Sequence, residues 1–294
     1  MKRNIIASLL SSAAVIVTGF SSHTLPIGLH IKTTLISRMA TADEAADAGD
    51  DHITILGFGS LLSEKSSRTT FPTLKNFRLG RVLDHRRTFA HPASIFFQRN
   101  IANLETLEIS SLSVEYKEGC SMVCSVFEVP NEGLSAADAP GDTFIPSQKF
   151  LEREEEFEIT RVRYEELETS SSSGKQEIKE GVICRRSTDE AYIARWGQER
   201  FQKNYLDYGI KTIWGWNEGI RPCPVYLRHC ILAAWSCDSE ENWSKDGIGG
   251  ICYNSFLDET VMVDRATSIR EYIDQYPEVM NTEPPDNLKE RYSG

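Results

Sequence analysis

The sequence predicts an α+β fold: a small mixed β-barrel followed by a helical C-terminal extension. Three observations lead there. Between Ile53 and Cys184, short apolar stretches alternate with polar residues in the two-residue period of strands, with few helical stretches between them. From Ser187 onward the pattern changes to helical spacing. The chain has 294 residues, 40% of them hydrophobic, enough for one large domain or two small ones with a real core.

The first strand is Ile53-Thr-Ile-Leu-Gly57-Phe-Gly-Ser60-Leu-Leu62, which runs straight into a glycine-bounded turn. Gly57 and Gly59 let the backbone bend and let a ligand approach without a Cβ in the way. Such a turn can aim several backbone N–H groups at a carboxylate or oxyanion. The residues alone leave it open between that role and an ordinary tight turn. Phe77 to Leu83 and Arg87 to Ala90 read as the next strands, then Leu107 to Tyr116, Ser121 to Val129, Phe157 to Tyr164 and Glu177 to Cys184. Two loops interrupt them: Asn131 to Ser147, with Gly133, Pro140, Gly141 and Pro146, and the serine-rich tip Thr169 to Gly174.

Ser187-Thr-Asp-Glu190 is a capping box that opens a helix running to about Leu206. Tyr226 to Trp235 is a helix apolar through its middle, and Asn254 to Met262 and Thr267 to Tyr276 read as two more, the last ended by Pro277. The expected organisation is a leader and acidic linker over 1–51, the barrel over 52–185, a helical extension packed on it over 186–280, and a polar tail over 281–294.

The formal net charge of −11 argues against nucleic acid or an anionic membrane surface as the main partner. Beyond the leader, no apolar run is long enough for a transmembrane helix in the mature form. The leader itself is acid-free up to Asp43. Lys2-Arg3 precedes an apolar stretch to Phe20, and Ser21 to Arg38 is rich in Ser and Thr and basic. A signal followed by a transit-like stretch resembles the bipartite leader of proteins sent to plastids of secondary origin. The alternatives are secretion, or a cytoplasmic protein whose translation begins at Met39.

Seven cysteines without a Cys-x-x-Cys pair, three of them (Cys223, Cys230, Cys237) spaced by seven, suit no usual zinc site and read as small buried apolar residues. Asn242-Trp-Ser244 is a glycosylation sequon with meaning only in a secreted chain. His85 and His91 lie on and beside a strand with no carboxylate or cysteine at ligand or nucleophile spacing, so they read as structural or surface residues. The nucleophile elbow, the Walker loop and the His-Glu-x-x-His motif are all missing.

The remaining candidate is Phe150-Leu-Glu-Arg-Glu-Glu-Glu-Phe157, which crowds Glu152, Glu154, Glu155 and Glu156 between apolar neighbours. A short acidic run is ordinarily a solvated face. A carboxylate pushed into an apolar pocket instead has a raised pKa and becomes a usable general base.

The order of these motifs resembles the gamma-glutamylcyclotransferase-like family, which includes ChaC-type glutathione-degrading enzymes and avirulence-induced-gene-like plant proteins. The matching residues are the Phe58-Gly59-Ser60-Leu61 turn on the first strand, the apolar strand ending in Val-Phe-Glu-Val-Pro130, and Leu151-Glu-Arg-Glu154 ahead of another strand. The resemblance covers roughly residues 52–185 and is greatest to an uncharacterised plant and algal branch. It implies a mixed barrel of that family's type. It also implies cyclisation of a gamma-glutamyl compound (glutathione, a gamma-glutamyl dipeptide or a gamma-glutamylamine) to 5-oxoproline, without metal or organic cofactor. The family's essential glutamate falls on Arg153-Glu154, which makes Glu154 the catalytic acid and base, with Glu155 as second choice one residue on. The resemblance places substrate on Phe58, Gly59, Ser60 and Leu61; the family's usual tyrosine is here Phe58.

Two other readings stand beside the enzyme. One is a non-catalytic module of the same fold that binds a ligand or a protein partner, the partner through the C-terminal helices. The other is a scaffold subunit in a plastid complex. The aromatic pair Trp214 and Trp216 reads either as a cap on the pocket or as core.

Overall fold

Alternating side chains on the first strand, β1 (His52–Gly57), set the plan of the molecule: Ile53 and Ile55 point to one apolar cluster and Leu56 to another. The computed structural model describes residues 52–131, 147–167, 177–239 and 250–292, all within the unit Ala48–Gly294. The leader and linker, most of the Asn131–Ser147 loop, the serine-rich tip and the Asn242 sequon lie outside the described residues.

β1 pairs antiparallel with β3 (Glu108–Pro130), from His52 opposite Pro130 to Gly57 opposite Ser125. On its other edge it pairs parallel with β5 (Ile178–Arg185) through Ile55 and Val182. β5 runs antiparallel to β4 (Glu158–Glu166), β4 to β2 (Lys75–Pro92), and β2 to β3. The β2–β3 pairing closes the ring, so the barrel β3-β1-β5-β4-β2 has no open edge within it. Two short strands, β6 (Arg221–Pro222) and β7 (Thr260–Met262), add parallel to β3 and β2 from outside the ring.

Leu56, Val82, Val114, Met122, Cys124, Val126, Val162, Tyr164 and Ile183 come from all the strands of the ring and from no helix; they fill its interior. The opposite faces of the same strands carry Ile53, Ile55, Phe127, Val129, Ile159, Val182 and Cys184, which pack against the segment that follows the barrel. Both faces are therefore buried at the end of β1, along much of β3 and over Gly181–Cys184 of β5. That is why several stretches read as continuous apolar runs.

The expected α+β barrel with a C-terminal helical extension is the fold observed, with four differences in its elements. Phe77–Leu83 and Arg87–Ala90 are halves of one strand, β2, bent where Asp84 takes a positive φ of 55°. Their partners, expected as two strands, are likewise one, β3, whose extra residues lie opposite that bend. The helix expected up to Leu206 breaks at Gly197 (φ 86°) into α4 (Asp189–Trp196) and α5 (Gln198–Asn204). The helix expected through Met262 ends at Glu259. Thr260 to Met262 instead pairs with Arg87 to Phe89 as β7, because the exposed β2 backbone offers β-branched Thr260 and Val261 a ladder.

Short helices α1 (Glu64–Thr70), α2 (Ser94–Gln98) and α3 (Gln148–Arg153) join the strands. Helix α6 (Pro224–Ser239), α7 (Ile251–Glu259) and α8 (Ile269–Gln275) cover the outer face of β2 and β3. Within that layer the Cys237 and Cys252 sulfurs lie 3.1 Å apart, and six of the seven cysteines are buried.

The final segment corrects the expected polar tail over 281–294. Residues 289–292 form α9 (Lys289–Tyr292), and Tyr292, 4% exposed, inserts into a cluster with Ala93, Phe96, Ile101, Cys223 and Val225. One aromatic anchor outweighs the polar composition around it.

Candidate active site

A cleft of about 1060 Å³ opens over the outer face of β1 and β5, floored by Ile55, Val182 and Cys184. The glycine turn forms one wall. Gly57 is required there by crowding: a Cβ would lie 2.4 Å from Ser125 Oγ and 2.6 Å from Leu61 Cβ. The turn continues into a single 3₁₀ turn, Ser60–Leu62. The Leu61 carbonyl is clamped by the hydroxyls of Ser125 and Ser67, at 2.7 and 2.8 Å. Phe58 packs where the three large apolar clusters meet and faces the cleft as an apolar wall.

Of the amides expected to cradle substrate, that of Ser60 is turned to the Cys230 sulfur. The Gly59 and Leu61 amides have no protein acceptor among the described residues. The cradle that the turn offers is therefore two N–H groups and the Ser60 hydroxyl.

The opposite wall is the acidic run. Helix α3 is capped by Ser147, whose hydroxyl accepts the Phe150 N–H, and stops before Glu154, which leaves the helical conformation. That break sends three consecutive glutamates in different directions. The Glu154 side chain, 16% exposed, lines the cleft and takes an ion pair from Arg153 Nε at 3.0 Å. Its charge acts on Cys184 in the floor and on Tyr226 of α6.

Glu155 turns inward. Its carboxylate accepts from Ser94 Oγ at 3.1 Å, Tyr192 Oη at 3.1 Å and Asn204 Nδ2 at 2.9 Å, and pairs with Arg200. Glu156 is also buried, accepting from Tyr205 Oη at 2.7 Å and the Ser94 amide at 3.2 Å. Burial, with the neighbouring Glu155 charge, pushes its pKa up to about 7. The second-choice base, Glu155, is thus a carboxylate already engaged by four protein groups.

Sequence reasoning missed what the helical extension adds. Tyr226 on α6 places its hydroxyl 3.3 Å from where a Gly59 Cβ would stand, and donates to Cys230. Phe58 brings no hydroxyl to this turn, but a phenol reaches it from another part of the chain. Trp196, Arg200 and Asn204 reach the cleft from α4 and α5, Arg99 from just beyond α2, His229 from α6, and Arg291 and Tyr292 from α9. The one local hint was Trp196 with Arg200 four residues on, whose guanidinium sits 4.5 Å from the indole centroid. Trp214 and Trp216 do not cap the cleft. Trp214 is buried, stacked on His91 at 4.4 Å, and Trp216 packs beside that cluster. His91, enclosed by Trp214 and Phe157, is a core residue whose pKa burial lowers to about 3.

Among the described residues, no group of three or more His, Cys, Asp or Glu is placed to hold a metal, and no helix is long and apolar enough to cross a membrane.

No family model and no curated protein matches the sequence. Solved structures do. A gamma-glutamyl cyclotransferase is similar at 12% identity over 52% of this chain and 86% of its own, with a TM-score of 0.30. A gamma-glutamyl cyclotransferase specific to glutathione from yeast is similar at 13% identity over 63% and 87%, with a TM-score of 0.32. A protein from Arabidopsis thaliana is similar at 8% identity over 54% and 91%, with a TM-score of 0.30. What the cleft can do follows from its own residues.

Proposed function

We propose that the chain is a cofactor-independent gamma-glutamylcyclotransferase. The observation that carries this reading is the cleft itself, which faces the Glu154 carboxylate with the Gly59–Leu61 turn although the two lie far apart in sequence. The motif resemblance over residues 52–185 supports the same chemistry.

A gamma-glutamyl compound carries an α-ammonium group and, at the other end of a short chain, an amide carbonyl. Glu154 takes a proton from the ammonium. The freed amine attacks the carbonyl carbon, forming the C–N bond of a five-membered ring and moving the carbonyl electron pair onto oxygen. The Gly59 and Leu61 amides are the donors suited to that oxyanion or to the substrate α-carboxylate. Collapse of the intermediate breaks the original C–N bond. The leaving nitrogen takes the first proton back from Glu154, and the second proton, shed by the ring nitrogen as the lactam forms, passes through the same carboxylate to the departing amine, so 5-oxoproline and an ammonium leave with no net proton change at the enzyme. Ring closure is intramolecular, and a cleft that holds the substrate curled supplies much of the rate. Arg153 positions the Glu154 carboxylate.

The test is release of 5-oxoproline from a panel of gamma-glutamyl compounds by the wild-type protein and by Glu154→Gln. Activity in the wild type should fall about 10²- to 10⁴-fold in the variant with an unchanged circular dichroism spectrum. If neither protein releases 5-oxoproline from any compound, the catalytic reading fails, and a binding module with the same cleft takes its place. Equal activity in the two proteins removes Glu154 as the base.

A further inference from the structure

One end of the cleft holds positive charge that the chemistry above does not use. Arg99 and Arg291 come from opposite parts of the chain and flank the Tyr292 ring, their guanidinium carbons 5.8 and 6.0 Å from its centroid. Arg99 Nη1 donates to Tyr292 Oη at 2.8 Å, and both arginines line the cleft. Arg291 feels the repulsion of both Arg99 and Arg153, so the three guanidinium groups share one neighbourhood. Arg153 is neutralised by Glu154, the proposed base, and Arg200 across the cleft by Glu155. Among the described residues, neither Arg99 nor Arg291 has a carboxylate within ion-pair distance. Glu199 and Glu290 line the same cleft but pair with neither. His229, edge-on to Tyr292, is buried, and its pKa is lowered to about 4 by burial and by Arg291 and Arg228, so it adds no charge at neutral pH.

Arg99 is half-buried and Arg291 exposed, and each presents a fork of N–H donors, free of a carboxylate partner among the described residues, that matches a carboxylate bidentately. The anion must fit in the same cleft as Glu154, whose carboxylate is paired with the neighbouring Arg153.

We propose that Arg99 and Arg291 form a subsite for a carboxylate on the leaving group, so that the substrate is a gamma-glutamyl peptide with a free C-terminal carboxylate and not a neutral gamma-glutamylamine. This rests on the cyclotransferase reading. The α-amino end of the substrate lies at Glu154 and the turn, and the departing amino acid or dipeptide lies toward Tyr292, where the two forks hold its carboxylate. The buried Tyr292 ring is the common support of both guanidinium groups, and its hydroxyl holds Arg99. The subsite exists only when the C-terminal segment is seated, because Arg291 and Tyr292 belong to it.

The experiment compares two compounds that differ in that carboxylate alone: gamma-glutamylalanine and gamma-glutamylethylamide. For the wild-type protein, the ratio of kcat/KM for the acid over the amide should be well above one. It should fall about tenfold or more in Arg99→Gln and in Arg291→Gln, and Arg99→Lys should restore part of it. A wild-type ratio near one, or a ratio unmoved by both substitutions, overturns the proposal. Should neither compound be turned over, calorimetric binding of the same pair separates the two readings. A preference for gamma-glutamylalanine that both substitutions abolish keeps the subsite while the cyclotransferase reading fails; equal binding of the pair overturns the subsite as well.

Discussion

Three adjacent glutamates of the same chemistry end in three environments, and the difference is made by what each meets. Glu154 faces the cleft beside Arg153, Glu155 is held by Ser94, Tyr192, Asn204 and Arg200, and Glu156 is enclosed with Tyr205. Glu156 bears on stability. Its pKa is raised from 4.5 to about 7, so between those values the folded protein binds more protons than the unfolded chain. The stability it contributes is present below about pH 4.5 and is lost as pH rises to 7. The stability so lost by pH 8 is on the order of 3 kcal/mol. Urea unfolding at pH 5 and pH 8 should show Glu156→Gln losing less stability than wild type over that interval. A parallel decline in the two proteins would mean that Glu156 is ionised throughout. The acidic run was legible as a candidate because apolar residues flank it. The partition of roles inside it was not, because the partners that tie Glu155 and Glu156 come from α2, α4, α5 and Tyr205, dozens of residues away.

Strands were the most legible elements. Alternation on β4 separates buried Val162 and Tyr164 from exposed Arg161 and Arg163, while β1 and β5 carry apolar residues on both faces, and the register observed keeps each set on its face. Boundaries were less legible where an element continues through a bend, as in β2 and β3, or where a partner strand captures the end of a helix, as at Thr260–Met262. The glycines of the turn were read as sites of conformational freedom; the structure shows that crowding is what requires Gly57. Gly57→Ala places a methyl group 2.4 Å from Ser125 Oγ and 2.6 Å from Leu61 Cβ. Overpacking of this kind should cost about 1–3 kcal/mol, measured by urea unfolding. Adding Ser125→Gly should recover only part of it, since the Leu61 contact remains. Full recovery in the double variant would show that the hydroxyl alone forbids a side chain there.

At the scale of the whole molecule, the barrel and the segment after it build the cleft together. The barrel supplies the floor and the turn, α4 to α6 supply Trp196, Arg200, Tyr226 and His229, and the last helix closes one end through Tyr292. Tyr292→Ala removes an aromatic anchor from a buried cluster and should cost about 3 kcal/mol. Limited proteolysis should then cut the variant in residues 281–294 well before the rest of the chain, whereas wild type resists there. Equal resistance would show that other contacts seat the segment.

The sequence by itself determined the fold class, the strands with their two-residue period, the turn and the acidic run, because each of these is written in neighbouring residues. It left undecided which glutamate faces the cleft, which amides remain free, and that Tyr226, Arg99 and Arg291 belong to the site. Those were decided by the tertiary structure alone, since each depends on contacts between segments that only closure of the barrel and packing of the helices bring together.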